Sequence, residues 1–437
     1  MEKVVKFITL GCKVNQYETN AMAQKFLEKG YKVIESESEE TSEIKEDICI
    51  INTCTVTNMS DRKSRQMLRR MKEKNQDTIL VAVGCYVQVA KEELSKIPEI
   101  DLVLGNNEKV DIVKYVEEYI EKHNKIYETE DVMKSIKYSE FGDITFTEKT
   151  RAVIKVQDGC DRFCSYCIIP YARGRVRSRN PKNIISEIKK IAKKGIKEVV
   201  ITGIHIASYG KDFKENYRLI DLLEEINKIE GIERIRLGSI EPLLITEEFI
   251  ERLKKLEKIC HHFHLSLQSG CDETLKRMNR RYTTKQFEGI VKLLRDTYAD
   301  VNLTTDIIVG FPGETEEEFE ETYQFLKQIK FYKMHIFKYS PRKGTKASIM
   351  PNQISGDIKE ERSKKLLDLS DNNEIEYNKK YLGKEIEVLF EEENNGLYKG
   401  HTQNYIMVYC ESKENLDNKI EIVKCKKIIN NYLLAEI

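Results

Sequence analysis

The chain has 437 residues, too many for one core, so two or three domains are expected. Hydrophobic residues make up 40% and charged residues 33%, as in a soluble globular protein, and no apolar run approaches the roughly 20 residues of a membrane span. The charges balance, 73 basic against 73 acidic, which excludes a global field that attracts nucleic acid; any such binding must use a local patch.

The opening MEKVVKFITLGC reads as a first strand: its apolar run is too short for a leader and is interrupted by Lys6. Through residues 1–122, strand-like VVKFITLG, DICIINT, TILVAVG and DLVLG alternate with helix-like NQYETNAMAQKFLEKG, SDRKSRQMLRRMKEK, KEELSKI and DIVKYVEEYIEKH. Strands alternating with helices predict a doubly wound α/β domain around a parallel sheet.

Three cysteines in this domain directly follow strands: Cys12, Cys54 and Cys85. Parallel strands all end at one edge, where ligands bind, so the sheet gathers them into a claw. A lone cysteine is most often a buried free thiol, but three repetitions of one placement argue against coincidence. Cys49 sits inside a strand and is assigned to the core. Eleven cysteines, an odd number, suit a reducing cytoplasm better than a disulfide framework.

Residues 123–150 are polar and acidic with weak periodicity, and read as a linker. The next segment, at 157–179, reads QDGCDRFCSYCIIPYARGRVRSR. Cys160, Cys164 and Cys167 have C-x3-C-x2-C spacing, which a helix would scatter but a short loop can direct at one centre. Three ligands are one too few for a closed zinc site and suit a 4Fe-4S cluster with one iron left open. A zinc knuckle completed by His205 or Cys271 is the alternative.

Residues 151–370 contain six strand-like segments, RAVIKV, KEVVITG, ERIRLGS, FHLSLQS, VNLTTDIIVG and KMHIFKY, separated by helices. They predict an incomplete (β/α)6 barrel, open at one side to a large substrate. Its C-terminal strand tips carry the claw, TGIH at 202–205, GSIEP at 238–242, SLQSG at 266–270 and DIIVGFPGE at 306–314. Ser239, Glu241, Gln268 and Ser269 are hydrogen-bonding candidates for a ribose or an amino-acid head, although Gly, Ser and Glu are also ordinary turn residues.

Residues 371–437 change character: GKEIEVLFEE, NYIMVYCES, KIEIVKCKK and YLLAEI predict a small antiparallel β-barrel, with Cys410 and Cys425 in its core. Acidic residues outnumber basic ones there, which weakens a charge argument for RNA. Basic residues gather instead beside the claws: Arg173, Arg175, Arg177 and Arg179 after the second, and Arg62, Lys63, Arg65, Arg69 and Arg70 after Cys54. Both groups are candidates for phosphates, the second also reading as a solvated helix face.

The cysteine spacing, with Tyr166 before the last cysteine, resembles the signature of radical S-adenosylmethionine (SAM) enzymes. TLGCKVNQYE, INTCTVTN, VGCY, DGCDRFCSYCIIPYARG, TGIH, SIEP, SLQSG, MNRRYT, DIIVGFPGET, FKYSPRKGT and KGHTQNYI together resemble the methylthiotransferase family, over essentially the whole chain. Within it, GCKVNQYE and CIIPYARG most resemble the MtaB branch, which modifies N6-threonylcarbamoyladenosine at position 37 of tRNA.

The resemblance implies that Cys160, Cys164 and Cys167 bind the radical 4Fe-4S cluster and Cys12, Cys54 and Cys85 an auxiliary one. It implies that one SAM methylates the inserted sulfur and a second supplies the radical that takes hydrogen from C2 of the adenine. Tyr166, Gly203, Ser239, Gln268 and Asp306 are the candidates for the SAM pocket, and the last 67 residues correspond to a TRAM domain. The implied partners are a tRNA anticodon stem-loop with its base splayed out, a flavodoxin- or ferredoxin-like electron donor and a sulfur source, without a membrane. Alternatives are a methylthiotransferase for tRNA isopentenyladenosine or for a ribosomal-protein aspartate, and a non-enzymatic zinc protein that binds RNA.

Overall fold

The computed structural model describes residues 3–35, 45–146 and 150–437. Residues 1–2 and 36–44 of the first expected domain and 147–149 of the expected linker lie outside them. The first part runs β1 (Val4–Thr9), α1 (Lys13–Glu28), β2 (Lys32–Glu35), β3 (Ile48–Thr53), α2 (Asn58–Lys74) and β4 (Ile79–Gly84). It continues through α3 (Cys85–Val89), α4 (Lys91–Leu94), β5 (Leu102–Leu104), α5 (Ile112–Lys122) and β6 (Ile126–Glu128).

All six strands are parallel, in the order β2-β1-β3-β4-β5-β6. Every residue of β3 is buried, which its unbroken apolar run requires of a sheet covered on both faces. Val5, Phe7, Ile48 and Ile50 pack under α1 and α5, while Ile8, Cys49 and Ile51 pack under α2, α3 and α4. The doubly wound expectation holds, with β2 and β6 added at the edges.

β6 falls in the stretch read as a linker, and other described residues of that stretch are packed as well. Phe141 and Ile144 are buried in the core under α1, and Glu140 pairs with Arg179 at 2.7 Å. Its weak periodicity reflects irregular chain laid over a surface, not an unattached tether.

The second part runs β7 (Arg151–Asp158), α6 (Ile169–Arg173), β8 (Arg177–Ser178), α7 (Pro181–Lys193), β9 (Glu198–Gly203), α8 (Leu219–Asn227), β10 (Arg234–Leu237) and α9 (Glu247–Leu253). It continues as β11 (His262–Gln268), α10 (Asp272–Arg277), α11 (Thr284–Thr297), β12 (Asn302–Val309), α12 (Glu316–Ile329), β13 (Lys333–Lys338) and α13 (Gly356–Lys379). β7, β9 and β10 form one parallel run and β11, β12 and β13 another, joined by parallel bridges Ile235–Ile259 and Ile240–Leu265. The result is a six-stranded open arc of a barrel, with β8 antiparallel at its edge.

Alternate residues such as Ile154, Ile201, Ile235, Leu265 and Ile307 pack outward against the helices. Their neighbours Lys155, Thr202, Arg236, His264 and Asp306 therefore face the lumen, which is polar.

The third part is a closed antiparallel barrel, β14 (Glu385–Asn394), β15 (Leu397–Thr402), β16 (Met407–Glu411), β17 (Ile420–Ile429) and β18 (Tyr432–Glu436), with a parallel β16–β18 pair closing it. β15 was not among the expected strands; Cys410 and Cys425 are buried inside as expected. Among the described residues no helix is long and apolar enough to cross a membrane.

Candidate active site

The claw of Cys160, Cys164 and Cys167 leaves β7 through Gly159, which has φ +71°. A Cβ there would stand 1.8 Å from the Arg175 carbonyl oxygen, so this turn accepts glycine alone. The Gln157 amide donates to the Asp158 and Gly159 carbonyls, each at 2.6 Å, and its Oε1 accepts from the His205 backbone N–H at 2.7 Å. That ties the claw to the tip of β9. Farther along, Ser165 is held on both sides, donating from N to Met278 O at 3.0 Å and accepting at its own carbonyl from Ala347 N at 2.8 Å.

Burial pushes Cys160 up to about 11 and Cys167 up to about 12, and the nearby Cys164 adds to both shifts. Arg280 Nη1 donates to Cys164 Sγ at 3.3 Å, and Arg162 N donates to Cys160 Sγ at 3.5 Å. These donors favour the thiolate form that a metal needs.

The second claw sits where the winding of the first sheet reverses. β1 and β3 are neighbours, but the chain leaves β1 toward α1 on one face and β3 toward α2 on the other. Cys12 is the N-cap of α1, Cys54 follows β3, and Cys85 opens α3. Gly11, at φ +103°, lets the two loops touch: a Cβ there would stand 2.7 Å from Cys54 Cβ. Burial raises the Cys12 thiol and takes Cys54 up to about 11, with Cys85 adding to both shifts. All eleven cysteines of the chain are free thiols.

One side chain joins the two claws. Arg173, on the helix that follows Cys167, donates from Nε to Cys85 Sγ at 3.0 Å. Its other nitrogens grip Glu18 of α1, Nη2 at 3.1 Å, and Nη2 also donates to Asn15 Oδ1 at 2.8 Å. Glu18 further pairs with Lys109 at 2.5 Å and Lys155 at 2.7 Å, while Asp158 pairs with Lys155 at 2.5 Å and lies 3.8 Å from Arg177. In this buried group four cations meet two carboxylates, leaving two positive charges uncompensated beside Cys85.

That excess tests the fit of a cluster. Buried charge is costly unless paired, and an anionic thiolate-bound iron-sulfur group would supply the missing counter-charge. Among the described residues no three Cys, His, Asp or Glu side chains converge as ligands of a single ion. With three thiols apiece, each triad is one ligand short of a closed zinc site and has the donor set that suits a cluster with one iron left open.

From the tip of β10, Glu241 pairs with Arg162 in the claw and lies 3.4 Å from His205 Nε2. A shallow cavity beside this pair is lined by Arg162, Lys211, Arg218, Glu241 and Arg252. At the other end of the lumen the third barrel inserts its β15–β16 turn. Tyr405 is stacked between His262 and His401, with ring centroids 4.7 and 4.6 Å away, and Arg236 and Arg151 lie over its ring at 4.7 and 5.3 Å. Arg234 and Arg236 donate to the carbonyls of His401 and Gln403 at 2.9 and 3.0 Å, so the turn is a plug.

The candidate SAM-pocket residues land unevenly. Tyr166 packs edge-on against Phe311 at 6.4 Å, beneath the claw. Gly203 ends β9, where a Cβ would meet Gln157 O at 2.9 Å, so strand approach already demands glycine. Ser239 is exposed, and Gln268 holds a left-handed φ of +74° at the end of β11. Such strain in a non-glycine residue is stored where a side chain must be aimed. Asp306 lies within β12, short of its tip, and faces the lumen with His264 Nε2 at 3.1 Å. Ser269 turns away to Thr322 at 3.2 Å and is buried, so it is no ligand of the mouth.

The arginine patch requires correction. Arg173, Arg177 and Arg179 are buried in ion pairs, and Arg175 alone of that series is exposed, near Asp161 at 3.3 Å. Arg173 ends α6 and Arg177 lies in β8, while Arg175 stands in the bend between them. On α2, Arg62, Lys63 and Arg69 lie on an exposed face, as helical spacing allows. Glu18, Lys109, Lys155, Arg280 and Tyr405 were not singled out from sequence. Lys155 carried a signal, a lysine within an otherwise apolar strand, as did Arg280 and Tyr405 inside the MNRRYT and KGHTQNYI blocks.

Comparison with known proteins places these features. Residues 154–326 match the radical SAM superfamily and residues 4–105 the family described as "Uncharacterized protein family UPF0004". The chain is 42% identical over 429 residues to the threonylcarbamoyladenosine tRNA methylthiotransferase MtaB of Bacillus subtilis, covering 97% of this chain and 94% of that protein. Identity to the same-named protein of Aquifex aeolicus is also 42%, covering 96% and 99%. A tRNA-2-methylthio-N(6)-dimethylallyladenosine synthase of Caldicellulosiruptor saccharolyticus is 35% identical, covering 100% and 92%. Among solved structures, the radical SAM methyltransferase TsrM of Kitasatospora setae aligns with a TM-score of 0.59 at 17% identity, covering 80% of this chain and 77% of that one. That likeness concerns the fold alone.

Proposed function

Because the chain belongs to the radical SAM methylthiotransferase family, an assignment that carries a 4Fe-4S cluster and SAM with it, we propose that it is the tRNA enzyme that methylthiolates C2 of N6-threonylcarbamoyladenosine at position 37. The observation that carries this reading is the joining of two cysteine claws by Arg173 across one polar chamber. The 42% identity to two proteins named for that substrate supports it over the 35% identity to synthases named for dimethylallyladenosine.

In this proposal Cys160, Cys164 and Cys167 hold the radical cluster and Cys12, Cys54 and Cys85 the auxiliary one. Clusters and SAM held there would supply radical and sulfur-transfer chemistry at C2, a carbon without an acidic proton that acid-base groups cannot functionalise. The protein's own residues position and enclose. Arg280 and Arg173 each direct a donor at one thiolate; Gln157 and the Arg162–Glu241 pair fix the claw against the strand tips. Tyr405 and its flanking histidines pack across the far end of the lumen. Tyr166, Gly203, Ser239, Gln268 and Asp306 remain the candidates to frame SAM.

Exposed Arg175, Lys211 and Arg281 around the mouth, with Arg62 and Lys63 on α2, are the residues available to anticodon-stem phosphates. A flavodoxin- or ferredoxin-like donor and a sulfur source complete the reaction, which belongs in the cytoplasm where tRNA is matured.

The test is to delete the gene and measure tRNA nucleosides by mass spectrometry, with rescue by the wild type and by Cys160→Ala. The expected result is loss of 2-methylthio-N6-threonylcarbamoyladenosine, accumulation of its precursor and restoration by the wild type alone. Loss of the isopentenyl derivative instead would assign the other tRNA branch; an unchanged nucleoside pool would favour a protein substrate.

A further inference from the structure

Lys13 follows Cys12 and reaches into the lumen. Its electrostatic neighbours come from five barrel strands and the plug: Arg151, Glu198, Arg236, His262, His335 and Tyr405. The side chain keeps solvent access while standing among these groups. It forms no ion pair or hydrogen bond with any described residue.

The charges around it are otherwise satisfied. Arg236 pairs with Glu198 at 2.6 Å, Arg151 with Glu391 at 2.8 Å, Lys333 with Glu374 at 3.2 Å and Asp306 with His264 at 3.1 Å. Among these described lumen cations, Lys13 alone has no counter-ion. An ammonium without a counter-ion among these groups is well placed when a ligand brings an anion.

We propose that Lys13 forms a carboxylate subsite, pairing with the amino-acid carboxylate of the N6-threonylcarbamoyl group of the target base. The inference rests on the substrate reading above and adds the residue that enforces it. In that nucleoside the ureido N–H folds back onto N1, which lays the amino-acid portion along the N1–C2 edge of the adenine. C2 is where sulfur enters, on the side of Cys12, so the sequence neighbours Cys12 and Lys13 match two neighbouring positions on the substrate. An isopentenyl group offers no anion and leaves the ammonium unpaired, which builds rejection into the same residue.

The experiment uses the reconstituted full chain and fluorescent anticodon stem-loop RNAs bearing, at position 37, threonylcarbamoyladenosine, its carboxylate methyl ester, isopentenyladenosine or adenosine. Equilibrium binding is measured for the wild type, Lys13→Gln and Lys13→Arg, with iron content and the EPR spectrum of each. The wild type is expected to favour the free acid over the ester by about ten- to a hundredfold, the loss that accompanies one charge-assisted hydrogen bond. Lys13→Gln should bind acid and ester alike with unchanged iron, and Lys13→Arg should recover part of the preference.

A full preference retained by Lys13→Gln, with the wild type discriminating, overturns the subsite and leaves the substrate reading intact. Loss of iron in both variants overturns it in favour of a role in holding the cluster. A wild type that binds the threonylcarbamoyl and unmodified RNAs equally overturns both readings.

Discussion

Arg173 Nε lies 3.0 Å from Cys85 Sγ, so the helix that follows Cys167 ends on a thiol of the other claw. The two sites are thereby assembled together: neither the first sheet nor the barrel alone supplies all the donors of the Cys85 environment. Lysine cannot reproduce the planar fork that also grips Glu18 and Asn15. Arg173→Lys is expected to lose about half the iron on reconstitution while keeping the radical-cluster EPR signal, and Arg173→Ala to lower stability by about 3–5 kcal/mol. Iron analysis and urea titration check both.

Arg342 forms a second clamp between the same two parts. Its Nη2 donates to Asp61 Oδ2 at 2.6 Å and Thr55 Oγ1 at 2.7 Å, beside Cys54, and its Nη1 to Asn58 Oδ1 at 2.7 Å. A double-mutant cycle with Arg342→Ala and Asp61→Ala should give a coupling of about 1.5–3 kcal/mol. Coupling near zero would mean that the clamp is dispensable.

The plug predicts a pH dependence. Burial holds His262 well below the ordinary histidine range, aided by Arg236, and burial likewise lowers His401 despite the opposing Glu391. Both stay neutral in the native state while the unfolded chain protonates near pH 6.5. Stability should therefore fall as pH drops through that range. Urea midpoints at pH 7.5 and 5.5 measure the fall, and His262→Asn should reduce it. A midpoint independent of pH over that interval would contradict the buried neutral histidines.

Tyr405 carries the plug's contacts. Tyr405→Ala removes two ring stacks and two cation–π contacts, expected to cost about 2 kcal/mol or more. Limited proteolysis should then release the third barrel earlier than in the wild type.

Exposed and buried arginines of one series should separate cleanly. Arg175→Ala is expected to weaken RNA binding across sequences and reduce the salt slope by about 1 without changing stability. Arg179→Ala, which strips Glu187 and Glu140 of their partner, should destabilise the fold and leave the salt slope of the remaining folded protein unchanged.

Much of this was legible in sequence because it is local. Apolar runs ending in cysteine set the parallel strands and put Cys12, Cys54 and Cys85 on one edge, and C-x3-C-x2-C spacing made a loop of the claw of Cys160, Cys164 and Cys167. The small edge strands β2 and β6 were missed because four and three residues carry too little periodicity.

What the sequence determined by itself was the inventory: two sets of three cysteines, a six-stranded open barrel and a small barrel after it. Only the tertiary structure decided what the charged residues do. Arg173 and Arg175 look alike in RGRVRSR, yet one is fully buried on Glu18 and Cys85 and the other is exposed. Likewise Lys13 reads as an ordinary helix-start residue until β7, β9, β10 and β11 close around it. Strand and helix signals arise from neighbours a few residues apart, whereas a charge acquires its partner from chain more than a hundred residues away, as Arg173 does from Glu18, and only folding brings the two together.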